Sequence, residues 1–174
     1  PAAQKMMEIA KRYPNYGQAA EAAVTAVQLA AQQCMDVSNC AAQSPNHQLY
    51  RQALETLLTG YPNMEAARYW RFYYAQLLED AEDYSAAAVE FARVDREHEH
   101  YLESGFRRVR ALARAAAQAS GRNPSLTPEA FTSIDAVRTA YRDFVTRATA
   151  EMPAGEGERA QRIQELLGES RLLL

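Results

Sequence analysis

The sequence contains an internal repeat, and this repeat limits the folds open to the chain more than any other feature. Tyr13-Pro14-Asn15 recurs as Tyr61-Pro62-Asn63, an offset of 48 from position 13 to position 61. At the same offset, Ala19, Gln28 and Leu29 recur as Ala67, Gln76 and Leu77, and Ile9 corresponds to Leu57. A residue that precedes proline is disfavoured in the helical conformation, so each Tyr-Pro predicts the end of a helix. Such a chain builds its core by stacking similar helical units on one another.

The composition predicts an all-α protein. The 174 residues include only 7 Gly and 7 Pro, and Ala, Leu, Gln, Glu and Arg, which favour helices, are frequent. Apolar residues at spacings of three and four predict eight helices and no strand. The predicted helices cover about 2–12, 18–35, 45–59, 64–80, 84–95, 101–120, 128–151 and the residues from 156 onwards. Ser44-Pro45 and Thr127-Pro128 each predict an N-cap followed by proline at the first helical position.

A stripe of side chains recurs on the second, fourth and sixth predicted helices. Its members on the second helix are spaced by steps of 4, 3 and 4, which places them on one face. Adding 48 to these four positions gives the matching positions on the fourth helix, and adding a further 34 gives those on the sixth helix. The stripe consists of Glu21, Thr25, Gln28 and Gln32, then Tyr69, Tyr73, Gln76 and Asp80, then Glu103, Arg107, Arg110 and Arg114.

Over Ala67–Asp95 the sequence resembles the tetratricopeptide-repeat (TPR) family, in a degenerate bacterial form. The residues that match its small, large apolar and aromatic positions are Ala75, Leu78, Tyr84, Ala87 and Phe91. The family's glycine before the turn is Glu82 here, and its early bulky position is Arg71, next to Trp70. The Tyr-Pro helix ends are similar to those of extracytoplasmic bacterial members such as outer-membrane assembly lipoproteins. The resemblance implies a right-handed solenoid of antiparallel helix pairs.

This resemblance predicts one helical-repeat domain over residues 1–174. Residues 1–14 form the back half of a repeat, residues 15–60, 61–98 and 99–152 form helix pairs, and residues 153–174 form the front half of the next repeat. Because each repeat buries its face on a neighbour, we expect this chain to be part of a longer protein.

In the family that the chain resembles, the first helix of each pair lines a concave groove, so the stripe is the predicted peptide-binding surface. Tyr69 and Tyr73 offer flat amphipathic contact area, which interfaces favour. Arg107, Arg110 and Arg114 offer forked donors for carboxylates. The combination fits an extended or helical peptide with an acidic segment or a C-terminal carboxylate. The alternative is that the stripe is the solvated face of three ordinary amphipathic helices.

The predicted function is therefore a protein–protein interaction or scaffolding module that needs no cofactor and catalyses no reaction. The alternative is a structural spacer or oligomerisation segment of a larger, cell-envelope protein, which self-associates through its end helices. A net charge of −3 argues against nucleic acid as a partner. The longest weakly polar run, residues 19–31, is too short and too polar to span a bilayer. The sequence leaves both the cytoplasm and the bacterial envelope or periplasm open as compartments.

The sequence does not decide whether its two cysteines form a disulfide or are free thiols. Cys34 and Cys40 lie at the end of the second predicted helix and in the loop that follows. A disulfide would close that loop in an exported protein. In a reducing cell both would be free thiols, which is the interpretation we favour for a chain with only two cysteines.

Other clusters that suggest chemistry have simpler interpretations. His98-Glu99-His100 lacks a third ligand at useful spacing, so we expect a solvated turn between helices and no metal site. The acidic residues Glu79, Asp80, Glu82 and Asp83 also predict a solvated turn, since a calcium loop would need alternating oxygens and a glycine. His47 is predicted to lie on the surface of a first helical turn. Trp70 and Tyr74 are predicted to be core residues and not a base-stacking platform.

Overall fold

The backbone is helical through most of the chain, which confirms the all-α prediction. The computed structural model describes residues 2–34, 40–42, 44–122, 128–153 and 157–173, apart from the side chains of 120–122 and 128–133. These ranges contain eight helices and no strand. They are α1 (Ala2–Arg12), α2 (Ala19–Gln33), α3 (Pro45–Gly60), α4 (Glu65–Asp80), α5 (Tyr84–Ala92), α6 (Tyr101–Arg122), α7 (Pro128–Ala150) and α8 (Glu158–Arg171).

The predicted helix bounds agree with the observed ones to within three residues. The largest difference is at α5, which ends at Ala92 and not at Asp95. There the N–H groups of Arg93 and Val94 bind the carbonyls of Glu90 and Phe91, three residues back. This tighter hydrogen bonding closes the last turn before Asp95 is reached.

Side-chain caps define where two of the helices begin. The Ser44 hydroxyl accepts a hydrogen bond from the His47 N–H at 3.2 Å, and Pro45 occupies the first turn of α3. This confirms the predicted cap, which satisfies a backbone donor that has no partner inside the helix. Asp83 plays the same part for α5, because its carboxylate accepts from the Ala86 N–H at 3.4 Å. The other predicted cap, at Thr127, lies outside the described residues.

The turn between α4 and α5 contains a left-handed residue. Glu82 has a φ of 60° and is the one non-glycine residue with positive φ in the described ranges. It occupies the position at which the TPR pattern has glycine. Because Cβ approaches the following carbonyl oxygen in this conformation, a residue other than glycine is strained there.

The chain divides into two compact units, Pro1–Ala81 and Glu82–Leu174. The first contains α1 to α4 and the second contains α5 to α8. The single repeat domain, the helix-pair bounds and the solenoid arrangement stay predictions.

In the first unit, α2 packs against both α1 and α3. Its buried face consists almost entirely of small side chains, including Ala23, Ala26 and Ala30, which are fully buried. Small residues allow neighbouring helices to approach closely, and larger ones on α3, such as Leu54 and Leu57, fill the space between them. The α2 helix is thus packed on more than one side.

The second Tyr-Pro turn connects α3 to α1. The Tyr61 side chain packs against the core of the first unit, and its hydroxyl donates a 2.9 Å hydrogen bond to the Ala10 carbonyl in the last turn of α1. Carbonyls in a last turn have no partner within their own helix. Tyr61 therefore satisfies the end of a helix that lies 51 residues earlier in the sequence.

In the second unit, α6 and α7 run antiparallel. Arg147 lies over the Tyr101 ring at 4.9 Å, Phe106 is 6.2 Å from Phe144 between ring centroids, and Arg108 is 3.3 Å from Asp143. Positions on α7 therefore decrease as positions on α6 increase. The two helices bury Phe106, Val109, Val137, Ala140 and Phe144, and Ile163 and Leu166 of α8 complete this core.

Gly105 allows α6 and α7 to pack closely. A Cβ at this position would lie 3.0 Å from Cδ2 of Phe144, a ring that is fully buried and has little room to move. We expect Gly105→Ala to lower the free energy of unfolding by about 1–3 kcal/mol, because overpacking outweighs the higher helix propensity of alanine. Thermal unfolding followed by circular dichroism measures the change.

Gly168 in α8 supplies the matched control, because a Cβ there would meet nothing within 4 Å. Gly168→Ala should therefore raise stability by up to about 1 kcal/mol through helix propensity alone. Equal shifts of the same sign in the two variants would contradict the close contact at Gly105.

Glu82 provides a second stability prediction. Replacement by glycine removes the left-handed strain, which costs about 1–2 kcal/mol, at the expense of greater chain entropy in the unfolded state. We therefore expect Glu82→Gly to raise the melting temperature by a few degrees, in line with a net gain below about 1 kcal/mol. Glu82→Ala, which removes the carboxylate but keeps Cβ, should give no gain. A higher melting temperature for alanine than for glycine would show that the charge, and not the backbone, limits stability.

Candidate functional site

None of the twelve stripe side chains is buried. On α2, Glu21, Gln28 and Gln32 are exposed, and the Thr25 hydroxyl is turned back onto the Glu21 carbonyl at 2.9 Å. Thr25 thus uses its hydroxyl within its own helix. Three of the four α2 positions remain as an exposed polar face, which is compatible with both a binding surface and a solvated face.

On α4, the stripe is formed mainly by a pair of tyrosines. The rings of Tyr69 and Tyr73 are 5.6 Å apart, and their hydroxyls are 3.3 Å apart. Trp70 contacts both rings, at 5.5 and 5.4 Å, and contacts Tyr50 of α3 edge-on at 6.3 Å. Such tilted and edge-on contacts are favourable for aromatic rings. The tyrosines therefore form the accessible part of an aromatic cluster whose other side is anchored in the protein.

The anchored side is the core of the first unit, as predicted for Trp70 and Tyr74. Both are partly buried and pack against that core. The Tyr74 hydroxyl donates to Glu55 at 3.1 Å, and Arg51 binds the same carboxylate oxygen at 2.9 Å. Burial raises the pKa of the neighbouring Tyr50 phenol, with smaller contributions from Tyr73 and Tyr69, so this phenol stays neutral.

On α6, each stripe arginine has a neighbour that orients it. Arg107 Nε donates to Glu103 at 2.8 Å within the stripe itself. The guanidinium of Arg110 lies 5.7 Å from the Phe106 ring centroid, and that of Arg114 lies 5.4 Å from the Tyr84 ring centroid. Contact between a guanidinium and an aromatic ring at this distance is favourable. The stripe of α6 is thus basic over its last three positions.

The stripe is distributed over both units, with α2 and α4 in the first and α6 in the second. The side chains that the structure brings together on one face are those of each separate helix. A continuous groove across α2, α4 and α6 stays a prediction.

The His98-Glu99-His100 segment lies in the turn between α5 and α6. The two imidazole rings are 5.6 Å apart, the His100 N–H donates to His98 Nδ1 at 3.0 Å, and His100 Nδ1 lies 3.4 Å from Glu103. These nitrogens therefore interact within the turn and with the start of α6. In the part of the chain that is described, no three His, Cys, Asp or Glu side chains are arranged to hold a metal ion.

The prediction that His47 is a surface residue is wrong. Its side chain is 3% exposed, and Nε2 is buried without a hydrogen-bond partner in the described structure. Burial lowers the pKa of His47 below its usual 6.5; Arg51 lowers it too, whereas Asp80 and a hydrogen bond to the Leu77 backbone oppose the shift. Sequence reasoning missed this because α4 covers the first turn of α3, a contact that no local pattern predicts.

The acidic turn is also less solvated than predicted, because Glu79 is buried with 4% of its surface exposed. Asp80, Glu82 and Asp83 are exposed, and Asp83 caps α5. Only Glu79 therefore departs from the interpretation as a solvated turn.

Cys34 and Cys40 are joined by a disulfide, with their Cα atoms 4.7 Å apart. The structure thus contains the bonded alternative and not the two free thiols that we favoured. Cys34 directly follows the last residue of α2, so the bond attaches the following loop to the end of that helix. A crosslink of this kind stabilises a protein chiefly by restricting its unfolded chain.

The second unit contains a cleft that the sequence did not predict. We define the α6–α8 cleft as the space of about 570 Å³ between the α5–α6 turn, the start of α6, Glu151 and the first turns of α8. Its lining includes Arg96, His98, His100, Leu102, Glu103, Glu151, Arg159, Arg162, Ile163 and Leu166. The missed signal was the pair of arginines three positions apart at the start of α8, since spacing of three places them on one helical face.

Comparison of the chain with protein-family models, with curated proteins and with solved structures gives no match. Among the described helices, none combines the length and apolar character needed to cross a bilayer.

The buried His47 makes stability depend on pH. In the folded state its pKa is lowered, so the unfolded chain takes up the proton first as the pH falls through about 6.5. The free energy of unfolding should therefore decrease on acidification below neutrality, by at most about 1.4 kcal/mol per pH unit for one group. Urea unfolding at a series of pH values between 8 and 5 measures this slope.

His47→Leu should make the slope shallower, because the variant has no imidazole to protonate. Leu49→Ala is the control: Leu49 is buried on the same helix, so this change lowers stability but keeps the imidazole and the wild-type slope. Parallel slopes for wild type and His47→Leu would assign the pH dependence to other groups.

Proposed function

We propose that this chain is a protein–protein interaction module built from TPR-like helix pairs, and that its stripe binds an acidic peptide or partner helix. The observation that carries the proposal is the accessibility of all twelve stripe positions. They include an aromatic pair on α4 and three arginines on α6, residue types that are enriched in interfaces. The proposal includes no reaction and no cofactor.

The geometry around the arginines supports an acidic partner. Arg110 and Arg114 lie against aromatic rings, and Arg107 is held by Glu103. Side chains that are already oriented lose less conformational freedom when a ligand binds. Forked guanidinium donors favour carboxylates, with which they form charge-assisted hydrogen bonds.

The antiparallel packing of α6 and α7 supports the helix-pair architecture. Antiparallel neighbours joined by a short connection are the unit that a TPR-like solenoid repeats. The hydrogen bond from Tyr61 to Ala10 connects the residue that follows α3 to the last turn of α1, and the repeat assignment places these two helices in successive repeats.

A second candidate function is self-association as a structural segment of a larger protein. The observation that favours it is apolar exposure on the terminal helices: Ile9 on α1 is 39% exposed, and Leu172 at the end of α8 is 87% exposed. The end helices are the surfaces on which a further helical repeat would stack, and such stacking buries apolar side chains. Sedimentation velocity over a wide range of protein concentration distinguishes this function, since self-association raises the average mass with concentration and a monomeric binding module does not.

The disulfide bears on the compartment. Structural disulfides persist where the environment is oxidising, so the Cys34–Cys40 bond favours an exported protein, such as one of the bacterial envelope or periplasm.

Charge reversal on α6 tests the binding function. We expect the double substitution Arg107→Glu and Arg110→Glu to weaken binding of an acidic partner by at least about a hundredfold, because two charge-assisted contacts become repulsive. Pull-downs with the wild-type and variant chains, read by mass spectrometry, identify the partner, and titration of the purified partner then gives the affinities.

The control reverses the charge of two exposed arginines on α7 by the substitutions Arg138→Glu and Arg142→Glu. These substitutions change the net charge of the protein by the same amount. Circular dichroism should show the same helical content in all three proteins. A partner bound equally by wild type and the α6 variant would remove the stripe as the binding surface.

A further inference from the structure

The α6–α8 cleft has the size of a ligand site and lies within the second unit. Its volume of about 570 Å³ falls inside the range of about 300–1,000 Å³ that is typical of binding pockets. Ile163 and Leu166 form part of its lining and belong to the core of the second unit. The apolar side chains that line the cleft are therefore held in place by their packing in this core.

Two arginines of the cleft share one carboxylate. Arg96, in the α5–α6 turn, lies 3.1 Å from Oε1 of Glu151, and Arg159, in the first turn of α8, lies 2.9 Å from Oε2. A guanidinium carries five N–H donors, so one bond to Glu151 uses a fraction of the capacity of each arginine. Because both oxygens of the Glu151 carboxylate are bound here, this part of the cleft can hold a carboxylate.

A third arginine extends the basic side of the cleft. Arg162 follows Arg159 by about one helical turn and lies 3.2 Å from Glu165 on its own helix. The side chains of Arg96, Arg159 and Arg162 are 74%, 67% and 56% exposed, so a ligand can reach all three. Ion pairs with this exposure contribute little to stability, and an incoming carboxylate can replace the internal one at low cost.

We propose that the α6–α8 cleft is a binding site for a glutamate- or aspartate-rich peptide segment, whose carboxylates bind Arg96 and Arg159 in competition with Glu151, and Arg162 in competition with Glu165. This inference rests on the proposed function, which it deepens by naming a second contact region outside the stripe. Leu102, which is partly exposed in the lining, offers apolar surface to the aliphatic part of a glutamate side chain, and a small inorganic anion would leave this surface uncovered.

The other charges of the cleft restrict the direction of the peptide. Glu97 and Glu99 lie on the side of the α5–α6 turn, whereas Arg159 and Arg162 lie on the side of α8. Glu103 is bound by Arg107 and lies beside His100. The carboxylates of the peptide therefore lie along α8 and beside Arg96, whereas the peptide residues that face Glu97 and Glu99 are neutral or basic.

Fluorescence anisotropy with a short labelled glutamate-rich peptide tests the site, with a glutamine-rich peptide of equal length as the ligand control. We expect the glutamate peptide to bind more tightly, with an affinity that decreases as salt concentration increases. Arg159→Gln with Arg162→Gln should weaken its binding about threefold to tenfold, since each lost ion pair at an exposed arginine is worth at most about fivefold. Arg138→Gln with Arg142→Gln, on α7, is the matched control and should change the affinity much less.

Glu151→Gln separates a competing carboxylate from a merely structural one. If Glu151 occupies the ligand position, its neutralisation should tighten binding of the glutamate peptide severalfold. A role limited to holding Arg96 and Arg159 together would leave the affinity unchanged or weaken it. Circular dichroism melts of each variant verify that the fold is retained, and the arginine double variant tests the site even if Glu151→Gln proves unstable.

The results separate this inference from the proposed function. Equal binding of the glutamate and glutamine peptides, or an arginine double variant on α8 that binds as tightly as its control, would overturn the cleft. If the stripe variant Arg107→Glu with Arg110→Glu still loses its partner in that case, the binding function stands without the cleft. If the α8 variant loses peptide binding and the stripe variant does not, the cleft is the binding site and the stripe is not.

Discussion

Close approach between helices at small side chains is the constraint on which both units depend. In the first unit, α2 presents alanines to α1 and α3, and in the second, Gly105 of α6 lies against the Phe144 ring of α7. Where backbones come this close, a single added methyl group must displace a packed neighbour. The opposite faces of α2 and α6 are then left to carry the stripe residues of those two helices.

Local signals in the sequence predicted the helices well because the turns here are specified by a few residues. Ser44 with Pro45 begins α3, and α1 and α3 end next to their Tyr-Pro dipeptides. Such signals act over one turn of helix and can be read from neighbouring residues. Periodicity also separated buried from accessible faces correctly on α2, α4 and α6, since it depends on the helical repeat alone.

Contacts between helices account for what the sequence could not predict. His47 is buried because α4 covers it, and Arg96, Glu151 and Arg159 meet although 55 residues separate the first from the second. Neither fact follows from local pattern, since both depend on which helix ends are neighbours in space. The disulfide belongs to the same class: the spacing in sequence allowed it, but a bond forms only where the two Cα atoms lie close together, and here they are 4.7 Å apart.

The hydrogen bond from Tyr61 to the Ala10 carbonyl has a consequence for the order in which the chain acquires structure during synthesis. The last turn of α1 leaves the ribosome long before Tyr61, which is 51 residues further along. At about 5–20 residues per second, the interval amounts to several seconds. During this time α1 can associate with α2 but lacks the tyrosine that completes its C-terminal end. Release of the second Tyr-Pro turn is thus the step at which the nascent first unit can fix the position of its earliest helix.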